Sequence, residues 1–182
     1  PLSILDIGCA TGRLLKHFRD LGWETAGAEL CLESAEYGNS EYRVNIQSVP
    51  VEEAGFPNAS FSTVHASHLI EHVDNPAAFA EEVFRVLRPG GVFVCVTPSA
   101  DGLQAKLFGP SWRSVIDDHV TLFNRRTLRR LLMNAGFDVE AVRTWGGLAV
   151  GSAPGWIKRP VDRLAKKWNF GDVVLMLARK PG

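Results

Sequence analysis

Short β-type runs alternate with helical patterns along the whole chain, and this alternation constrains the fold more than any other feature. Leu2 to Ile7 is a compact apolar strand that stops at Gly8. From Gly12 a helix follows, with Leu14, Leu15, Phe18 and Leu21 at helical spacing and Gly22 at its end. Trp23 to Ala28 reads as the second strand, Leu32 to Tyr37 as a short helix, Tyr42 to Ile46 as the third strand and Phe61 to Ala66 as the fourth. Pro76 to Leu87 is a helix with proline in its first turn, Phe79, Val83 and Leu87 on its inner side, and a Pro-Gly-Gly stop. Gly91 to Thr97 (GVFVCVT) is the most apolar strand, which predicts burial on both faces. Asn124 caps a helix that turns Leu128, Leu131, Leu132 and Ala135 inward and closes at Gly136. Phe137 to Thr144 and Asp172 to Arg179 are the last strands. No internal repeat, low-complexity tract or linker interrupts the pattern, so residues 1–182 read as one α/β domain around a mostly parallel sheet.

Charge narrows the partners. Twenty Lys and Arg balance twenty Asp and Glu, which argues against a general nucleic-acid binder. No uninterrupted apolar run reaches the roughly 18 residues of a membrane-spanning helix, and Asp6 breaks the first apolar run before it can serve as a signal peptide. Cys9, Cys31 and Cys95 are far apart and form no Cys-x-x-Cys pair. A disulfide framework or structural zinc site is therefore not expected, and a cytoplasmic location is. The chain opens on Pro1 without an initiator Met, directly before a strand, so the sequence reads as part of a longer protein.

The stretch Ile4 to Gly12 (ILDIGCATG) carries most of the functional information. In open α/β sheets, ligands sit beyond the carboxyl ends of the strands, where a glycine-rich turn lets the backbone approach them. A carboxylate at the end of the second strand can accept hydrogen bonds from a ribose, and Glu29 stands there. A Walker loop fails because Arg13 and Leu14 follow Gly12. The dinucleotide fingerprint fails because Gly8 and Gly12 are four apart and Arg13 holds the place of the last glycine. A turn that binds nothing is the bland alternative, and the combination of Asp6 before the turn with Glu29 weighs against it.

ILDIGCATG resembles motif I of class I S-adenosylmethionine-dependent methyltransferases. The resemblance continues through Phe56 to Ser99 (FPNASFSTVHASHLIEHVDNPAAFAEEVFRVLRPGGVFVCVTPS). It extends further through LFGPSW and through Asp118 to Val139. The group it is similar to includes the ubiquinone-biosynthesis O-methyltransferases. This resemblance implies a Rossmann-like seven-stranded sheet of order 3-2-1-4-5-7-6, with strand seven antiparallel and helices on both faces. It also implies S-adenosyl-L-methionine as cofactor: Asp6, Gly8, Ala10 and Gly12 would cradle its methionine part, and Glu29 its ribose. Leu30, Ser48 and Val49 would then lie by the adenine, and Ser67 and His68 near the sulfonium. In relatives, N-terminal helices often cover the cofactor, and here they are expected to be missing.

Two departures stand out. Ala10 replaces a frequent glycine and tightens the turn, and Ser62 follows Phe61 where the group usually has Asp, removing an acidic group expected near the site. Methyl transfer is an in-line displacement, so alignment is the main task of the protein. A hydroxyl acceptor also needs a general base, for which His68, Glu71, His72 and His119 are candidates. Glu71-His72 matches a Glu-His pair with which some ubiquinone-type members hold a divalent metal. His68 here replaces an acidic member of that cluster, which leaves a magnesium site short of an oxygen ligand. A zinc-like set of His68, Glu71 and His72 is chemically possible, but no metal is assigned. His72 thus has three open roles: loop anchor, base or substrate contact, and metal ligand. His65 reads as a core histidine, His17 as surface, and His119 lies by the resemblance near a substrate lid.

Substrate recognition is expected from Ala100 to Val120 and from Gly146 to Gly171. The second stretch sets Val161, Leu164 and Trp168 opposite Arg163, Lys166 and Lys167, a pattern that suits either a membrane surface or a solvated helix. The resulting expectation is methyl transfer to a small-molecule acceptor at oxygen. The alternatives are a carbon, nitrogen or lipid-linked acceptor, or a non-catalytic cofactor-binding or scaffolding domain, which Ala10, Ser62 and the missing N-terminal segment would favour.

Overall fold

The computed structural model describes residues 1–147, 154, 156, 160, 163 and 170–182. Most of the expected insert from Gly146 to Gly171, including its amphipathic run, lies outside the described residues. The elements follow in the order β1 (Ser3–Ile7), α1 (Arg13–Asp20), β2 (Glu24–Ala28), α2 (Leu32–Glu41), β3 (Ile46–Gln47) and β4 (Phe61–Ser67). Then come α3 (Pro76–Val86), β5 (Leu87–Pro98), α4 (Leu103–Phe108), α5 (Arg125–Asn134), β6 (Asp138–Trp145) and β7 (Val173–Arg179). The strands form one sheet of order β3-β2-β1-β4-β5-β7-β6. β7 runs antiparallel to both β5 and β6, and the other pairs are parallel. Among the described residues no helix is long and apolar enough to cross a membrane.

Every residue of β1 is buried, because helices cover both faces of the sheet. On one face Ile4 packs with Leu15 of α1, Ala35 of α2 and Ile46 of β3. On the other, Leu5 and Ile7 join a larger cluster with Phe79 and Val83 of α3 and Leu128 and Leu132 of α5. This alternation is the period-two signature of a strand written into a continuous apolar run. Asn75 caps α3 by accepting from Ala78 N at 3.1 Å. Asn124 and Thr127 form a reciprocal capping box on α5, with bonds of 2.8 and 3.0 Å.

Several boundaries differ from the sequence expectations. The third strand is only Ile46–Gln47 rather than Tyr42 to Ile46, because Arg43 at φ +51 interrupts the extended run and the Asn39 side chain holds both polar groups of the Ile46 backbone. α2 runs on through Gly38 to Glu41, since the missing Cβ lets the helix lie against the Thr11 carbonyl. β5 begins at Leu87 and carries Pro-Gly-Gly inside it as an irregularity, where pairing with β4 shifts register between Phe61 and Thr63. Ser62 is the larger correction. It is bound to the Ser3 backbone at the start of β1 and β4, with its hydroxyl 2.8 Å from both Ser3 N and Ser3 O. That is the end of the parallel strands opposite the turns after β1 and β4, so the residue removes no acid from the site.

Two outcomes test this packing. A Cβ added at Gly38 would lie 2.5 Å from Thr11 O and 2.6 Å from Ile46 Cδ1. Gly38→Ala should therefore destabilise the domain by about 1–3 kcal/mol in chemical denaturation. Gly22→Ala, with nothing within 4 Å but φ +83, should cost only about 1 kcal/mol; equal losses would contradict the close approach. Burial, with Asp6 and Glu29 nearby, pushes the Cys9 thiol up to about 12, and burial also raises Cys95, whereas Cys31 is exposed. Iodoacetamide at pH 8 should alkylate only Cys31 in the native protein. Rapid modification of Cys9 would show that the turn after β1 is not packed as described.

Candidate active site

A strand buried on both faces can meet a ligand only at its end, and β1 ends in a turn built for close approach. Gly8 takes φ +70 and donates its N–H to Ala28 O at 2.8 Å, tying the turn to the end of β2. A Cβ there would lie 3.2 Å from Leu69 Cδ1, so glycine keeps the space above the turn open. Ala10 also sits in the left-handed region, at φ +46, which costs a residue with a Cβ roughly 1 kcal/mol. Its N–H is held by Glu29: the carboxylate accepts from Ala10 N at 2.8 Å and from Cys31 N at 2.9 Å. One side chain thereby joins the turns after β1 and β2. Each carboxylate oxygen has two acceptor sites, so this bracing leaves capacity for the two hydroxyls of a diol.

These turns border an open cleft of about 490 Å³, within the usual range for small-molecule sites. Six of the residues singled out in the sequence line it: Gly8, Glu29, Leu30, Val49, His68 and His72. Leu30 is 69% exposed on the lining of the cleft, where its side chain is open to a ligand. Others serve from behind. Asp6 is buried beneath the turn and paired with His65 Nδ1 at 2.7 Å, which makes His65 a satisfied interior histidine. Gly12 does not line the cleft: a Cβ there would lie 2.8 Å from Ile46 Cδ1, so this glycine lets α1 pack closely over β3. Ser48 hydroxyl reaches Leu30 O at 3.5 Å, and Ser67 is the last residue of β4 paired with β5.

Beyond β4, three imidazoles surround one buried carboxylate. Glu71 is 1% exposed; one of its oxygens is 3.3 Å from His68 Nδ1 and the other accepts from Thr97 Oγ1 at 2.8 Å. Burial opposes its ionisation, but hydrogen bonds from His68, the backbone and Thr97 outweigh this and hold the carboxyl below its ordinary range. His72 Nδ1 lies 2.8 Å from Asp118 O, and His119 Nδ1 lies 2.7 Å from Ser114 O. A carbonyl only accepts, so each Nδ1 carries the proton and each neutral ring keeps its lone pair on Nε2. The two rings meet edge to face at 4.7 Å. Together with Thr121 N donating to Glu71 O at 3.1 Å, they fasten the segment before α5 to the loop after β4. Glu71, His72 and His119 bring potential ligand atoms within 4.8 Å of one another, so the set that could hold a metal includes His119 rather than His68.

Sequence reasoning reached Ser48 and Val49 after β3 but passed over Thr97 and Pro50 to Glu52. Pro50, Val51 and Glu52 line the cleft beside Val49. Thr97 was visible in principle as a polar residue ending the most apolar strand, next to the expected ligand end of the sheet. The contribution of Asp118 is a backbone carbonyl, which no side-chain pattern reveals.

Residues 1–142 match the family described as "Methyltransferase domain". A Mycolicibacterium smegmatis protein named "Probable S-adenosylmethionine-dependent methyltransferase" is 32% identical over 140 residues, covering 76% of this chain and 52% of its own. A "Ubiquinone biosynthesis O-methyltransferase" of Psychrobacter cryohalolentis is 33% identical over 103 residues, covering 52% of this chain and 40% of its own. The chain thus spans about half or less of the length of these curated relatives. A solved S-adenosylmethionine-dependent methyltransferase from Archaeoglobus fulgidus shares the fold, with TM-score 0.72 and 19% identity over 98% of this chain and 86% of that one. With the family match running from the first strand into the sixth, the chain belongs to the methyltransferase-domain family.

Proposed function

We infer that this chain is the core of an S-adenosylmethionine-dependent methyltransferase that acts on a small-molecule acceptor at oxygen. The observation that carries the reading is the Glu29 carboxylate, fixed by two backbone N–H groups at the rim of a cleft whose floor is Gly8. The residues fit the cofactor: an open turn for an amino-acid portion, a carboxylate for ribose hydroxyls, and exposed Leu30 with Val49 for a flat base. Asp6 is buried and paired with His65 at the end of β1, Glu29 holds the Ala10 N–H, Gly12 seats α1, Ser48 follows β3 and Ser67 ends β4.

When bound, the cofactor supplies a methyl group activated by a positive sulfur. The chain's own work is alignment. His68 and His72 line the cleft beyond β4, and the His119 ring packs edge to face on His72 at 4.7 Å. Glu71 anchors this cluster. Methylation at oxygen is supported by these acceptor groups and by the O-methyltransferase name of the Psychrobacter relative. A neutral charge balance supports a small molecule rather than nucleic acid as partner, and three free thiols support a cytoplasmic setting.

Isothermal calorimetry with S-adenosylhomocysteine should give a Kd of about micromolar to sub-millimolar strength. Glu29→Gln should weaken it at least about tenfold, since a charged acceptor is lost. No binding by the folded wild type, or equal binding by the variant, would overturn the reading. Screening phenols, amines, carboxylic acids and lipid extracts for S-adenosylhomocysteine formation should give turnover on hydroxyl acceptors, and turnover on amines alone would overturn the choice of oxygen.

A further inference from the structure

We propose that His68 is the general base of this site, oriented by the buried carboxylate of Glu71, which Thr97 in turn holds in place. The proposal rests on the methyltransferase reading above and assigns the proton transfer within it to one of the four titratable groups near the cleft mouth.

The backbone places the ring. His68 N donates to Val96 O at 2.9 Å, so the residue is still tied to the sheet, yet its φ of +54 turns the chain sharply out of β4. Left-handed non-glycine residues are uncommon and collect at functional sites, histidine being one of the types that tolerate the conformation. The turn leaves 51% of the side chain exposed and places the residue on the lining of the cleft, far from Gly8 and Glu29 in sequence but in the same cleft. A carboxylate only accepts, so the 3.3 Å contact with Glu71 puts the proton on Nδ1 and leaves the lone pair on Nε2, at the other edge of the ring.

Charge then distinguishes His68 from its neighbours. Whichever imidazole takes the proton becomes a cation, and it gains most where its other nitrogen already faces an anion. His72 and His119 direct Nδ1 at peptide carbonyls, which are neutral, and are engaged in fastening the segment before α5. His65 does face a carboxylate, Asp6, but lies within β4 and does not line the cleft. His68 alone among the described histidines combines a carboxylate partner with a place on the cleft wall. Glu71 gains as well. It is 1% exposed, and among the described residues its ion pairing is with His68 and not with a lysine or arginine. A buried anion without a strong cationic partner stabilises a cation formed beside it. The Thr97 hydroxyl occupies the second carboxylate oxygen and fixes the direction in which the first one points.

The step balances. The acceptor hydroxyl gives its proton to His68 Nε2, and the electron pair of that O–H bond remains on oxygen. An oxygen lone pair forms the new bond to the methyl carbon while the carbon–sulfur electrons stay on sulfur, leaving a neutral sulfide. The imidazolium, paired with Glu71, releases its proton to solvent after the product has left.

The test compares wild type, His68→Asn, Glu71→Gln and Thr97→Val. Asparagine tolerates the left-handed backbone, and valine keeps the shape of threonine, so at least these two should fold. With the phenolic acceptor found in the screen, His68→Asn should lower kcat about 100-fold, with acceptor KM and S-adenosylhomocysteine affinity within about threefold of wild type. Added imidazole should restore part of this turnover in His68→Asn and none in Glu71→Gln. Thr97→Val should lower kcat about fivefold through the loosened carboxylate. A readout free of turnover is ¹⁵N NMR of histidine-labelled protein without cofactor. The signal lost in His68→Asn should show the Nδ1–H tautomer in wild type. An Nε2–H tautomer there, undiminished turnover in His68→Asn, or acceptors with no hydroxyl proton to remove would overturn the dyad. Failure of the wild type to bind S-adenosylhomocysteine would instead overturn the methyltransferase reading beneath it.

Discussion

β1 is covered on both faces along all of its five residues, and this burial decides where everything else goes. A strand so enclosed presents polar groups to a ligand only past its last residue, where the chain has to turn. The neighbouring parallel strands β2 and β4 end at the same level, with Ile7 paired to Ala28 on one side and Ala66 on the other. The residues that follow them, Glu29 after β2 and His68 after β4, are therefore delivered to one cleft from positions far apart in the chain. The order of the strands, and not any local motif, assembles the site.

Within that frame two carboxylates divide the work. Glu29 sits at the surface, held by backbone N–H groups and able to accept more hydrogen bonds. Glu71 is enclosed, and its charge is balanced by an imidazole and a hydroxyl rather than by solvent. The first is suited to binding a polar ligand, the second to supporting a charge that appears only during reaction. Their burial explains the difference in role better than their identity, since both are glutamates.

The fold was legible in the sequence to the level of strand order, because the apolar period switched cleanly between two and 3.6 and the turn after β1 fixed the rest by resemblance. Places where it was not legible share one cause. The ends of α2 and β3 are set by contacts with residues distant in sequence: Gly38 against Thr11, and Asn39 against Ile46. Ser62 misled for a related reason, since a residue next to the right strand can still stand at its wrong end. At the site, Gly8, Glu29 and His68 were readable as residue types at strand ends. The partnership of Glu71 with Thr97 was not, because it joins two strands' ends across the sheet and leaves no spacing in the chain.

The central claim is that one cleft, at the carboxyl ends of β1, β2, β3 and β4, takes S-adenosylmethionine. Amide hydrogen exchange with and without S-adenosylhomocysteine tests it most directly. The account predicts slower exchange confined to Gly8 to Gly12, Glu29 to Cys31, the segment after β3 around Val49, and His68 to Leu69. Unchanged exchange at these amides, or protection centred on the opposite end of the sheet around Ser3 and Ser62, would contradict it.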